Sequence, residues 1–141
     1  MPISLEKIEP THAQIVLLYK QLKGRTYNVS HERVPTFREH TLFVKKHPYR
    51  EWFMIIKGKS VVGNLYVQYD NSIALNSVET LSANEIKVVL ELVSSLLHPL
   101  HPIPSVRYKE FFLNIASENT EMQEKLVSIG YKETQRSFVH K

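Results

Sequence analysis

A chain of 141 residues, 43% of them apolar, has the length of one domain (1–141) and the material for one hydrophobic core. It has no cysteine, which excludes a disulfide framework, a thiolate metal site and a cysteine nucleophile, and suits a reducing cytoplasm. The net charge of +4 is uneven: residues 20–59 hold ten lysines and arginines against three acids, and the remainder holds eight against eleven. A basic third can attract an anionic ligand or can simply be a solvated face.

Residues 1–10 carry acids and no long apolar run, so neither a signal peptide nor a membrane span is expected. Residues 3–8 read as an opening strand. Four helix starts follow one pattern, a Ser or Thr with Glu or Gln three residues on: Thr11 with Gln14, Thr36 with Glu39, Ser82 with Glu85, Thr120 with Gln123. In each, the hydroxyl can satisfy an orphan N–H while the acid or amide reaches back. The first helix places Ile15, Leu18, Tyr19 and Leu22 on one stripe and stops near Gly24. The second, 36–46, is less regular, with Phe37, Val44 and Leu42 or Phe43 as its candidates for burial, and ends at His47-Pro48.

Residues 52–56 form an apolar strand, Lys57-Gly58-Lys59-Ser60 a hairpin turn, and 61–69 the return strand. Gly63 inside that strand predicts a bulge or a close backbone approach. After the turn at Asp70-Asn71 comes a strand over 73–78. The third helix carries Ile86, Val89, Leu90, Val93 and Leu97 as one stripe and ends before Pro99. A proline-rich connector leads to a strand over 111–116, expected parallel to the 73–78 strand. The fourth helix buries Met122, Leu126 and Ile129 and ends at Gly130. Residues 131–139 read as a last strand. The fold class is therefore α/β (α+β): a mixed, mostly antiparallel sheet flanked by about four helices.

That element order resembles the GNAT superfamily of acyl-CoA-dependent N-acetyltransferases over nearly the whole chain. The resemblance is carried by the strand from Phe111 into Asn119 at the next helix start, by the Gly130-Tyr131 pair, and by the hairpin from Trp52 to Val62-Gly63. Asn119 and Gly130 also make sense as a helix cap and a helix stop.

The resemblance implies acetyl-CoA as cofactor, with its pantetheine along backbone groups around Asn76, Ser77 and Val78. Its pyrophosphate would lie on N–H groups at the next helix start, where the dipole favours an anion. There the family carries Gln or Arg, then x-x-Gly-x-Gly or Ala. This chain has Glu79-Thr80-Leu81-Ser82-Ala83-Asn84-Glu85-Ile86, with neither glycine nor cation, and its two acids oppose a diphosphate. Many members also carry a Tyr seven residues after the Asn as general acid; here that position is Leu126, which cannot deliver a proton.

By the same resemblance the catalytic candidates are Glu79, as a base acting through water, and Asn114, as a hydrogen-bonding amide. The cofactor-binding candidates are Ser77, Val78, Thr80, Ser82, Asn84 and Asn119, with capping as the default role of Ser82. The first two helices and their loop border the acceptor site, where Arg25, Arg33 and Arg38 would favour an anionic, amine-bearing small molecule. A homodimer is compatible with this reading.

Other signals point elsewhere. His98 and His101 lie three apart, but in a proline-held loop without a nearby carboxylate, so no metal site is expected. Basic residues interleaved with Phe43, Tyr49 and Trp52 raise single-stranded nucleic acid, but Trp52 falls in a core strand and no nucleic-acid motif is present. Two functions remain: an acyl-CoA-dependent N-acetyltransferase, or a GNAT-fold module that has lost catalysis and binds a ligand or partner. An open cleft between the 73–78 and 111–116 strands separates them.

Overall fold

The computed structural model describes residues 1–24 and 33–141. Its elements in chain order are β1 (Ile3–Lys7), α1 (His12–Lys23), α2 (Phe37–Lys45), β2 (Glu51–Lys57), β3 (Ser60–Val67), β4 (Ser72–Asn76), α3 (Ala83–Leu96), β5 (Phe112–Leu113) and α4 (Thr120–Ser128). The strands form one sheet in the order β1-β2-β3-β4-β5, antiparallel as far as β4, with β5 parallel to β4. This is the predicted mixed sheet.

Side chains alternate across a strand, so β2 serves two cores at once. Trp52 and Met54 join Ile15 and Leu18 of α1 and Val44 of α2 on one face. Phe53 and Ile55 join Ile86, Val89, Leu90 and Val93 of α3, and Met122 and Leu126 of α4, on the other. A strand covered on both faces reads as a continuous apolar run, which is why 52–56 showed no alternation.

Gly63 meets both parts of its expectation. The β2–β3 register slips between Ile55↔Gly63 and Ile56↔Val61, leaving Val62 as the extra residue of a bulge. A Cβ on Gly63 would stand 2.8 Å from the Asn76 carbonyl oxygen and 2.8 Å from Val78 Cγ1, so the end of β4 lies against it.

The caps hold with two changes. Thr36–Glu39 and Ser82–Glu85 are complete capping boxes. At α1 the Gln14 N–H donates to Thr11, but the Gln14 side chain reaches past the cap to the Glu9 N–H. At α4 the cap is Asn119, not Thr120: its side-chain oxygen accepts from the Met122 N–H at 3.2 Å. Asn is the stronger cap, and Gln123 turns instead to the carbonyls of Ala116 and Ser117. Gly130 (φ +99°) ends α4 as predicted, its N–H donating to Val127 and that of Tyr131 to Leu126.

Four expectations fail, the first being the 111–116 strand, which is reduced to Phe112–Leu113. Phe37, Leu42 and Phe43 are exposed in α2, and the buried position beside Val44 belongs to His40. Its ring is tolerated there because Nε2–H donates to the Ile15 carbonyl at 3.1 Å. The fourth strand stops at Asn76 rather than Val78, because Ser77 takes a left-handed conformation (φ +59°) that breaks the ladder. Residues 131–141 form no strand and are exposed throughout. A further strand needs an edge to pair with, and β5 is two residues long.

Candidate functional site

The β4–β5 ladder is registered only at Ser72↔Phe112 and Ile73↔Leu113. Past Ile73 the strands part, and the edge of β4 that faces β5 has no ladder partner. A cleft of about 210 Å³ opens there. Its location is set at the root of the split by Asn71, which is fully buried with φ 74°. The Asn71 amide donates to the carbonyls of Leu100 and Tyr108 and accepts from the Leu100 N–H, tying the proline-rich connector to the sheet. Its own carbonyl accepts from the Phe112 N–H at 3.1 Å, which places the start of β5.

The predicted site residues divide into two groups. Ser77, Val78, Glu79, Asn114 and Asn119 line the cleft. Asn114 is exposed in it, and Glu79 is exposed at the end of the segment following β4. Val78 offers backbone only, since its side chain is buried in the α3-side core. Asn119 is committed to capping α4. Thr80, Ser82 and Asn84 do not line the cleft; they are exposed along the turn into α3.

At the start of α3 the Ser82–Glu85 box consumes donors that an anion would need. Ser82 N–H donates to Glu85 Oε1 at 2.9 Å, and Glu85 N–H donates to Ser82 Oγ at 3.1 Å. The other Glu85 oxygen meets Lys57 at 2.6 Å. The Lys57 ammonium, and then the Ser82 N–H, hold the Glu85 carboxyl down at about 2, so it is charged at neutral pH. The N–H groups of Ala83 and Asn84, in the first turn, lie outside the box. A second cation stands on the same turn from the far side: Lys125 of α4 donates to the carbonyls of Glu79 and Leu81 and pairs with Glu121 at 3.1 Å.

The local sequence without a cation is thus supplied with two by tertiary contacts. Neither was legible from the 79–86 segment, because Lys57 and Lys125 are distant in the chain. The gap between the parted strands is where the amide-bearing arm of a thioester donor would lie. The start of α3 offers its diphosphate fewer N–H donors than a glycine loop, beside a carboxylate already neutralised by lysine.

A second cavity, of about 530 Å³, lies on the α1–α2 face of the sheet. Tyr49 and Tyr66 stack in it at 3.6 Å, and Trp52 stands edge-on to both. Tyr66 and Asn76 line both cavities, so the two lie side by side near the end of β4. Arg33 and Glu39 also line the second cavity and pair with each other at 3.2 Å. Thr36 N–H, and then Arg33, hold the Glu39 carboxyl at about 2. Arg38 is exposed on α2 and is not part of this lining, and Arg25 lies outside the described residues. Sequence reasoning did not assemble this cavity; the aromatic density of 43–52 was its one visible trace.

Among the described residues no group of three or more His, Asp or Glu is placed to hold a metal ion, and no helix is long and apolar enough to cross a membrane.

No family model matches the chain, and no curated protein matches it. Solved structures do. A domain from Methanocaldococcus jannaschii aligns over 96% of this chain and 92% of its own at 15% identity, with a TM-score of 0.66. A dodecameric spermidine N-acetyltransferase from Vibrio cholerae aligns over 94% and 81% at 14% identity, with a TM-score of 0.59. The aminoglycoside N-acetyltransferase AAC(6')-Iy in complex with CoA aligns over 99% and 94% at 12% identity, also at 0.59. The chain has the GNAT fold of these acetyltransferases.

Proposed function

We propose that the chain is an acyl-CoA-dependent N-acyltransferase, with acetyl-CoA as donor and a small amine as acceptor. The observation that carries this reading is the cleft between the parted strands β4 and β5, on a fold whose solved neighbours include a CoA-bound N-acetyltransferase. A bound acyl-CoA supplies a thioester: the amine nitrogen bonds to the acyl carbon, the carbon–sulfur bond breaks, and the thiol leaves with a proton.

The chain contributes position and proton transfer. The unpaired edge of β4 and the Ser77–Val78 segment that follows it offer backbone groups along the donor's arm. Asn114, exposed across the cleft, is the amide that steadies the acyl oxygen or the acceptor. Glu79 takes the amine proton, through water. At the diphosphate end the donors are the Thr80 hydroxyl and the first-turn N–H groups at Asn84, with Ser82 and Asn119 shaping the two helix starts.

Calorimetric titration of acetyl-CoA, at low and moderate salt, tests the reading. One saturable site per chain is expected, and no heat at either salt would sink it. Glu79→Gln should then lower acetyl transfer by about 10²-fold or more with binding retained.

The alternative, a GNAT-fold binding module without catalysis, draws on two observations. Glu85 occupies donors at the start of α3, and Leu126 is buried in the core where a general acid would otherwise stand. On that reading acetyl-CoA does not bind, and the aromatic cavity holds the ligand.

A further inference from the structure

We infer that the aromatic cavity on the α1–α2 face is an amine subsite, and that it takes a primary amine carried on a flat apolar body, with Asn76 Oδ1 accepting from the amine nitrogen. As an acceptor site this rests on the transferase reading; as a binding site it does not.

The orientation of Asn76 follows from one group that has no choice. The indole N–H of Trp52 can only donate, and it lies 3.0 Å from Asn64, so the Asn64 side chain must present its oxygen there. Asn64 Nδ2 is then left to donate to Gln21 Oε1. Asn76 meets the same Asn64 oxygen at 3.2 Å and must present Nδ2 to it. The side-chain oxygen of Asn76 is therefore turned away from Asn64. Asn76 lines both cavities, and its oxygen, not engaged by Asn64, is the acceptor this wall contributes. A pure acceptor at that point recognises an N–H and has nothing to offer a carboxylate or phosphate.

The walls decide what carries the nitrogen. The stacked Tyr49–Tyr66 pair lies 2° from parallel. Trp52 stands edge-on to it, and Phe43 stands edge-on to Tyr49 and Trp52. Leu18 and Leu22 line the helix side. Faces and edges of this kind favour a flat apolar group. The ionised pair in the lining, Arg33 and Glu39, cancels itself at 3.2 Å. His40 is held toward its neutral form by burial, and its Nε2–H is committed to Ile15. Among the described residues the lining thus carries no uncompensated charge for a polyanion or a polycation, and its volume suits a drug-sized body.

Trp52 is the single tryptophan of the chain, so its emission reports this cavity directly. The full chain, without any CoA, is titrated with 2-phenylethylamine, with its deaminated counterpart ethylbenzene, with spermidine and with glutamate. A saturable change with phenylethylamine is expected, with spermidine and glutamate weaker by about tenfold or more. Phe43 is 43% exposed, so Phe43→Ala should keep the fold, checked by an unchanged circular dichroism spectrum, and weaken phenylethylamine by about tenfold. Asn76→Ala should remove the preference for phenylethylamine over ethylbenzene and leave ethylbenzene binding in place.

No saturable Trp52 response to phenylethylamine overturns the inference, as does spermidine or glutamate binding as tightly. The calorimetric titration of acetyl-CoA is read separately. An amine response without acetyl-CoA binding keeps this subsite and removes the transferase. Acetyl-CoA binding without an amine response does the reverse.

Discussion

β2 and β3 stay paired from Glu51↔Val67 to Lys57↔Ser60, whereas β4 and β5 pair at Ser72↔Phe112 and Ile73↔Leu113 and then part. Both pairs are apolar in sequence, so composition does not explain the contrast. In the first pair a short turn with Gly58 at φ +63° sets the register, and both faces are covered by helices. In the second, the strands are joined by a whole helix and a proline-rich connector, and left-handed Ser77 ends β4 early. The rigid pair makes the core. The parted pair makes the cleft, with Gly63 as the point where one leans on the other.

The contrast can be broken from the rigid side first. Leu65 of β3 is fully buried, and Leu65→Ala should cost about 2–5 kcal/mol of unfolding free energy in a denaturant titration. A loss under about 1 kcal/mol would mean that the β2–β3 core can collapse around the gap, and that it is not the rigid half.

Next in size is the root of the split. Asn71→Ala deletes three buried hydrogen bonds at a left-handed position, and should cost about 2–4 kcal/mol. Hydrogen exchange at the Phe112 N–H should speed up more than at Leu65, because Asn71 places that amide. Equal changes at both sites would mean that Asn71 supports the whole sheet and not the split in particular.

Gly63→Ala sharpens the comparison where the regions meet. The new methyl would press on the Asn76 carbonyl and Val78, costing about 1–3 kcal/mol. Amide chemical shifts at Asn76, Ser77 and Val78 should move more than those of β2. Shifts confined to β2 would show that the strain relaxes away from the cleft.

The smallest effect is a pH dependence on the α1–α2 face. Burial lowers the His40 pKa in the folded chain below its ordinary 6.5, against the opposing effect of the Ile15 carbonyl. Between the folded value and 6.5 the unfolded chain binds more protons, so stability rises with pH there. The contribution is complete above 6.5 and is lost as pH falls through the folded value. The thermal midpoint should therefore decline as pH drops below about 6.5, and His40→Gln should flatten that slope. An unchanged slope in His40→Gln would assign it to another group.

Much of the frame was legible because it depends on near neighbours in sequence. Caps act over three residues, so Thr36–Glu39 and Ser82–Glu85 could be read directly. Gly130, Gly63 and the turn after Lys57 carry their conformational reasons with them. The α3 stripe of Ile86, Val89, Leu90 and Val93 repeats at the helical period and was found intact. The exchange of Phe37 for His40 in the α2 core was not legible, since a buried imidazole is tolerated only where a carbonyl such as that of Ile15 waits for it.

By itself, then, the sequence determined the kind and order of the elements from β1 to α4, and with them the GNAT fold. Tertiary structure alone decided where β4 and β5 part, which lysine answers Glu85, and that residues 131–141 find no strand to join. It also decided the aromatic cavity, and the orientation of the Asn76 amide, which follows from hydrogen bonds of the Trp52 indole N–H and of Asn76 to one oxygen of Asn64. The reason is distance along the chain. Hydrogen-bond direction and ring stacking act over a few ångströms, and the groups that settle the site come from separate elements until the sheet brings them together.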